Sequence, residues 1–297
     1  MHGAGNDYVL LDAREQEKDW PSLAKVMCDR HYGVGADGLL VITQSLIADI
    51  RMRMFNPDGS KAEMCGNGIR CFTKYVVERD ISKMIDEQVS IETDVGILEV
   101  KPIVNNGEVE RVRVNMGTPK FYACDIPVSL PNREQGFQGE NLVNIPDILR
   151  NELDLTQLVV DYPLKVDRWD LKITCVSMGN PHAVAFIDDS IDNIPLEILG
   201  PSMEHHKFFP KQVNFHIVNV GRVSTLRART WERGVGLTLA CGTGAGAIHA
   251  AAYLLGFVGD TSQIDMPGGV LSITWPGVGS LIMEGPVDQV FEGEWKI

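Results

Sequence analysis

The sequence predicts an α+β protein made of two similar halves, and three observations carry that expectation. Hydrophobic residues make up 44% of the 297 residues and charged ones 23%, enough apolar surface for a sizeable core without disulfides. Short alternating apolar runs outnumber helical stripes along most of the chain. Finally, three motifs recur within the chain. Cys65-Gly-Asn-Gly-Ile69 opens one helical pattern and Cys241-Gly-Thr-Gly-Ala245 another. Val95-Gly-Ile-Leu98 returns as Gly268-Gly-Val-Leu271, and Asn115-Met-Gly-Thr-Pro119 as Ser177-Met-Gly-Asn-Pro181. Each repeat is mostly strand around one helix, so α+β halves fit better than a doubly wound sheet.

The elements follow in order. Tyr8-Val-Leu-Leu11, stopped by Asp12, reads as a buried strand. Asp19 with Pro21 behind it marks a helix start, Leu23, Ala24, Met27 and Cys28 form its apolar stripe, and it should end before Gly33. A glycine-rich turn over 33–38 leads into a strand at 39–42. Ile50, Met52 and Met54 alternate as in a half-exposed strand, which Asn56-Pro-Asp-Gly59 closes. Residues 89–100 and 109–114 read as strands, with Asn105-Asn-Gly107 as a hairpin turn. From about 120 to 170, frequent Pro, Asn and Asp predict an irregular connection with surface strands. Strand-like runs return at 171–176, 183–187, 213–220 and 222–229. A small-residue helix at 242–255 and strands at 270–275 and 280–283 complete the chain.

Composition also excludes function classes. Lys and Arg number 27 against 40 Asp and Glu, a net charge of −13, and there is no basic run of the kind that binds nucleic acid. No apolar stretch approaches the ~18 residues of a membrane span. Residues 1–7 lack the basic and apolar regions of a signal peptide. Six cysteines do not make a disulfide scaffold in a chain of this size. A soluble cytoplasmic protein is expected.

The chemistry is expected at Cys65 and Cys241, each placed just before a Gly-x-Gly turn that feeds a helix. Glycines permit tight backbone there, and helix-end amides converge on anions such as a carboxylate. Such a thiol can ionise more easily than usual, and two of them could work on opposite faces of one carbon. A packed small hydrophobe is the commoner role of a lone cysteine, and spacing alone leaves both roles open. Cys28, Cys71, Cys124 and Cys175 read as structural. Cys65 and Cys71 have no Cys-x-x-Cys partner or suitably spaced His, so no metal site is expected. Gly33-x-Gly35 lacks the Lys and Ser/Thr of a phosphate loop. In Trp231-Glu-Arg-Gly234 the adjacent charges can clamp a zwitterion, with Arg233 on a carboxylate and Glu232 on an ammonium, or form a plain surface pair. Asn6, Asn56, Asn180 and Asn214 fall at turns or strand ends, where asparagine is common for backbone reasons.

At these residues the chain resembles the diaminopimelate epimerases, over nearly its whole length. The similarity is carried by residues 2–8, 29–38, 55–60 and 65–71, and by Met178-Gly-Asn-Pro-His182, Trp231-Glu-Arg-Gly234 and Ala240-Cys-Gly-Thr-Gly244. The resemblance implies interconversion of LL- and meso-diaminopimelate, in lysine and cell-wall precursor biosynthesis, without pyridoxal phosphate, metal or nucleotide. Cys65 and Cys241 match the family's two catalytic cysteines, one thiolate removing the α-proton while the opposing thiol returns one. Gly66, Asn67, Gly242 and Thr243 match residues whose backbone groups hold the reacting carboxylate. Asn6, Asn56, Asn180, Asn214, Glu232 and Arg233 match the remaining substrate contacts, and His182 lines the site. The resemblance further implies two pseudo-symmetric halves, each a curled, mostly antiparallel sheet around a central helix, with the active site in the cleft between them. The halves would be 1–115 with 286–297, and 116–285, and the partner a zwitterionic amino acid, with a homodimer plausible. Leu237 stands where the family pattern commonly has Glu, which keeps open a related cofactor-independent racemase of another amino acid. A non-catalytic amino-acid-binding protein is the reading from a different class.

Overall fold

The computed structural model describes residues 1–62, 65–129 and 146–295. The chain divides into two units, Met1–Asn115 with Glu284–Ile297, and Met116–Met283. The α+β expectation holds: strands dominate, and each unit carries one long central helix.

In the first unit the chain runs β1 (His2–Gly3), β2 (Asn6–Asp12), α1 (Trp20–Met27), β3 (Gly38–Thr43), β4 (Ile50–Phe55), α2 (Gly66–Glu78), β5 (Val89–Thr93), β6 (Gly96–Asn105) and β7 (Glu108–Asn115). The seven strands lie in sequence order in the sheet. The parallel pairs are β2/β3 and β4/β5, each joined by a helix as a parallel pair requires, and the other pairs are antiparallel. Asp19 caps α1 by accepting from the Ser22 amide at 3.3 Å and the Ser22 hydroxyl at 2.7 Å. Trp20, Ala24 and Met27 then pack onto Leu39, Val41 and Phe55. Helix α2 lies against β1, β2, β3, β6 and β7.

The second unit runs α3 (Asp147–Glu152), β8 (Tyr162–Val166), β9 (Trp169–Ser177), β10 (Pro181–Phe186), α4 (Leu196–Glu204), β11 (Asn214–Val220), β12 (Thr225–Glu232), β13 (Gly236–Thr238), α5 (Gly242–Leu254), β14 (Thr261–Met266) and β15 (Gly269–Thr274). Strand β16 (Ile282–Pro286) carries the chain across the boundary between the units. The sheet order is β15-β14-β12-β11-β10-β9-β8, with β13 on β12. Its parallel pairs are β10/β11, joined through α4, and β12/β14, joined through α5. The series β2-α1-β3-β4-α2-β5-β6 is thus repeated by β10-α4-β11-β12-α5-β14-β15, strand direction included. Helix α5 packs on β9, β10, β11, β14 and β15.

Several local expectations change. Residues 89–100 form two strands rather than one, because the chain turns at Asp94-Val95 and Gly96 takes φ +127°. The Asn105-Asn-Gly107 hairpin is as read from sequence. Asn106 and Gly107 take φ +51° and +88°, the left-handed pair a two-residue hairpin turn demands. Helix α4 and strand β14 were not anticipated. Of the connection expected over 120–170, residues 130–145 lie outside the described ones, and α3 and β8 occupy part of the rest. Cys28, Cys71 and Cys175 are buried as expected, whereas Cys124 is exposed. No helix among the described residues is long and apolar enough to cross a membrane.

Candidate active site

Each central helix begins on a cysteine. Cys65 caps α2 with φ −134° and ψ 122°, and Cys241 caps α5 with φ −131° and ψ 116°. Both helices have thirteen residues, and both hold their first turn by an amide four residues on donating to the cysteine carbonyl: Ile69 at 3.0 Å and Ala245 at 2.8 Å. Neither helix carries an acidic residue in its first turn. The partial positive charge of the helix end is therefore left for an anion, and the first-turn amides of Gly66, Asn67, Gly242 and Thr243 belong to it.

In the first unit, Asn6 and Asn67 gather at the half-buried Cys65. The Tyr8 hydroxyl lies 2.9 Å from Cys65 Sγ and also donates to Asn6 Oδ1. The same Oδ1 faces the Cys65 thiol at 3.6 Å and accepts from Asn67 Nδ2 at 3.4 Å. Asn6 Nδ2 is turned away, donating to Asp37 Oδ2 at 2.6 Å. That bond fixes the amide with its oxygen toward the sulfur. Asp37 is in turn held by Arg30, which also grips Asp7. Burial, with the adjacent Cys65, pushes the Tyr8 hydroxyl well above its ordinary pKa, so it stays a donor.

Beneath this cluster Arg70 is wholly buried. It donates to Asn67 Oδ1 at 2.9 Å, to the Gly66 carbonyl at 3.0 Å and to the Pro286 carbonyl at 3.1 Å. Burial lowers its pKa, which neighbouring Cys71 and Cys65 oppose. Gly3 makes room for it, since a Cβ there would stand 2.9 Å from Arg70 Nη2. Asn56 is not part of this cluster. Its Nδ2 donates to Ser60 Oγ at 2.9 Å, closing its own turn.

In the second unit, Cys241 is buried. Its sulfur accepts from the Gly244 amide at 3.3 Å and lies 3.6 Å from Thr243 Oγ1. Burial, then the Glu232 carboxylate, raise the Cys241 pKa well above its ordinary value, while Thr243 and the Gly244 amide pull the other way. Burial likewise raises Glu232, which Thr238 and then Cys241 draw back. The two groups therefore share an interest in one proton. Asn180 joins them by donating to Thr243 Oγ1 at 3.4 Å, and His182 Nε2 lies 2.8 Å from Asn180 Oδ1. Asn214 pairs with His182 across β10 and β11, donates to the Pro181 carbonyl at 2.9 Å and accepts from the Arg233 amide at 3.0 Å. The exposed Arg233 side chain donates to the Lys211 carbonyl at 3.2 Å.

Sequence reasoning missed Tyr8, Arg70, His216 and Glu204. Glu204, buried at the end of α4, accepts from Trp231 Nε1 at 2.7 Å and from the Gly234 amide at 2.9 Å, pinning the corner that carries Glu232 and Arg233. Tyr8 and Arg70 both lie inside the motifs that carry the family resemblance, and of the two Arg70 had a local signal. The signal for it would have been a cation one turn into a helix whose first residues hold an anion.

The fold is similar to that of a solved Bacillus anthracis phenazine biosynthesis protein of the PhzF family, with a TM-score of 0.62 and 19% identity over 96% of this chain and 92% of that one. The family model for diaminopimelate epimerase matches residues 1–122 and 174–290. The diaminopimelate epimerase of Pelotomaculum thermopropionicum is 40% identical, over 99% of this chain and 96% of its own. That of Methanococcus maripaludis strain C5 is 43% identical over 100% and 98%. The chain belongs to the diaminopimelate epimerase family.

Proposed function

We propose that the chain epimerises diaminopimelate between its LL and meso forms, using Cys65 and Cys241 as a two-base pair. The observation that carries the reading is the repeated helix start: two cysteines with matching backbone angles, each capping the central helix of a repeated unit in a chain of this family. One sulfur takes the α-proton as thiolate while the other, as thiol, supplies a proton to the opposite face of the carbon. Helix-end amides of Gly66, Asn67, Gly242 and Thr243 stabilise the charge that builds on the reacting carboxylate, without which a thiolate is far too weak a base. Asn6, Asn56, Asn180, His182, Asn214, Glu232 and Arg233 hold the rest of the zwitterion. Cys241 rests as a thiol because burial disfavours its charge, and Glu232, itself raised by burial, is the acceptor beside it. A homodimer in the cytoplasm, serving lysine and cell-wall precursor synthesis, belongs to the same reading.

The test is reduced protein with LL-diaminopimelate in heavy water. Deuterium should enter the α-position as the meso isomer forms. Cys65→Ala and Cys241→Ala should each lower epimerisation at least about a thousandfold, as loss of a covalently acting or proton-transferring group does. Reduced, folded protein that neither exchanges the α-proton nor forms the meso isomer would exclude this substrate, and a panel of other amino acids would follow.

A further inference from the structure

Behind His182 lies a buried polar row that the reading above does not use. Thr230 on β12 is the register partner of His216 on β11, and His182 on β10 lies diagonal to His216, two residues before its partner Val184, all three essentially without solvent exposure. Thr230 Oγ1 is 2.9 Å from His216 Nδ1, and His216 Nε2 is 2.9 Å from His182 Nδ1. The two rings stack with centroids 5.2 Å apart. The His216 ring also lies against the first turn of α5. A Cβ on Gly244 would stand 2.5 Å from His216 Cε1 and 3.2 Å from Cys241 Sγ.

The hydrogens in this row have one consistent arrangement. Among the described residues the Thr230 hydroxyl has no partner other than His216 Nδ1, so a buried O–H must donate there. His216 is then the Nε2–H tautomer and donates to His182 Nδ1. His182 in turn carries its hydrogen on Nε2 and donates to Asn180 Oδ1, which leaves Asn180 Nδ2 to donate to Thr243 Oγ1. The Cys241 thiol hydrogen has the Glu232 carboxylate to go to, so across the Thr243–Cys241 contact it is Thr243 that donates to Sγ. The opposite order would strand the Thr230 hydrogen and set an unprotonated His182 Nε2 against Asn180 Oδ1, two acceptors face to face. Both rings are neutral, because burial depresses their pKa values, His216 to about 3 and His182 well below the usual range. Every donor from Thr230 onward therefore points toward the sulfur, and such a chain strengthens along its length.

We propose that Thr230 and His216 are positioning residues that lock His182 in the Nε2–H tautomer and so hold Asn180 and Thr243 as donors toward Cys241. The role rests on Cys241 acting as the acid–base group, but the tautomer does not, and the experiment separates the two. Full-length reduced protein with 15N-labelled histidine rings is recorded by NMR, with His182 and His216 assigned by substitution. Both should show protonated Nε2 and unprotonated Nδ1. His216→Phe should leave His182 as a mixture of tautomers and lower kcat/KM for diaminopimelate about tenfold or more. His216→Gln, whose amide can donate at the Nε2 position, should restore the single tautomer and most of the rate. If His216→Phe does not fold, Thr230→Val and Thr230→Ser supply the same contrast at the far end of the row. A native His182 protonated on Nδ1 overturns the proposal, as does a variant that loses rate with its tautomer unchanged. Native protein inactive on diaminopimelate but with the expected tautomers would sink the substrate reading and leave the hydrogen order standing.

Discussion

At the scale of single residues, the two cysteine helix caps are not equivalent. Cys241 has an amide, a threonine hydroxyl and a carboxylate around it, whereas Cys65 has the Tyr8 hydroxyl and the Asn6 carbonyl. When Cys65 is a thiol, Tyr8 can donate to Asn6. When it is a thiolate, the same hydrogen turns to the sulfur. A hydrogen bond to a charged partner contributes about 1.5–3 kcal/mol, so Tyr8→Phe should slow epimerisation about ten- to hundredfold. Alkylation of Cys65 by iodoacetamide should slow with it at a fixed pH near 8, while the urea midpoint stays close to native. Unchanged alkylation would mean the hydroxyl serves packing alone. The cysteines were legible in the sequence because they recur with their glycines in a repeated chain. Tyr8 was not, since within Tyr8-Val-Leu-Leu11 it reads as one more apolar strand residue, and only the fold brings its hydroxyl to a sulfur 57 residues on. His216 is hidden for the same reason: its neighbours lie on the adjacent strands β10 and β12, and strand pairing is invisible to local spacing.

At the scale of elements, most of what sequence missed was hidden by polar or helix-breaking residues with specific partners. Helix α4 contains Gly200-Pro201, which reads as a break, yet the repeat places a helix there, since α1 joins β2 to β3 as α4 joins β10 to β11. Strand β14 has its alternation diluted by Ser262, which is buried because His249 Nδ1 lies 2.7 Å from its hydroxyl. Gly200 shows why α4 tolerates a poor helix former. Its face takes the Trp231 ring so closely that a Cβ would lie 2.3 Å from Trp231 Cδ2. Gly200→Ala must move either the helix or the indole, and the indole is tied to Glu204 on the same helix. Overpacking of this kind costs about 1–3 kcal/mol, and the loss should appear in urea denaturation. Activity should fall as well, because the displaced corner carries Glu232 and Arg233. A variant with the native urea midpoint would show that α4 and β12 can slide apart at no cost.

For the molecule as a whole, acid should destabilise the fold well before its carboxylates titrate. Three of its seven histidines, His182, His216 and His249, are fully buried. Burial lowers all three pKa values, His216 to about 3 and His249 to about 4. The unfolded chain takes up these protons near pH 6.5 while the folded chain refuses them, so between pH 6.5 and about 4 the unfolded state binds more protons. Stability therefore rises with pH across that window and is lost as pH falls through it. Between pH 7.5 and 5.0 the loss amounts to on the order of 2 kcal/mol for each such histidine. Ion-paired carboxylates act lower down. Burial raises Glu284, but Arg113 and Arg111 hold it net below its ordinary range, so its contribution is present above about pH 4.3 and disappears only below that. The two effects separate in a series of urea titrations from pH 7.5 to 3.5. The midpoint should fall between 7.5 and 5.0, and His249→Phe should flatten that part of the curve while leaving the limb below pH 4.5 unchanged. A midpoint constant down to pH 5 would mean the folded chain takes up protons on these histidines, and with them the neutral row from Thr230 to Asn180 would lose its basis.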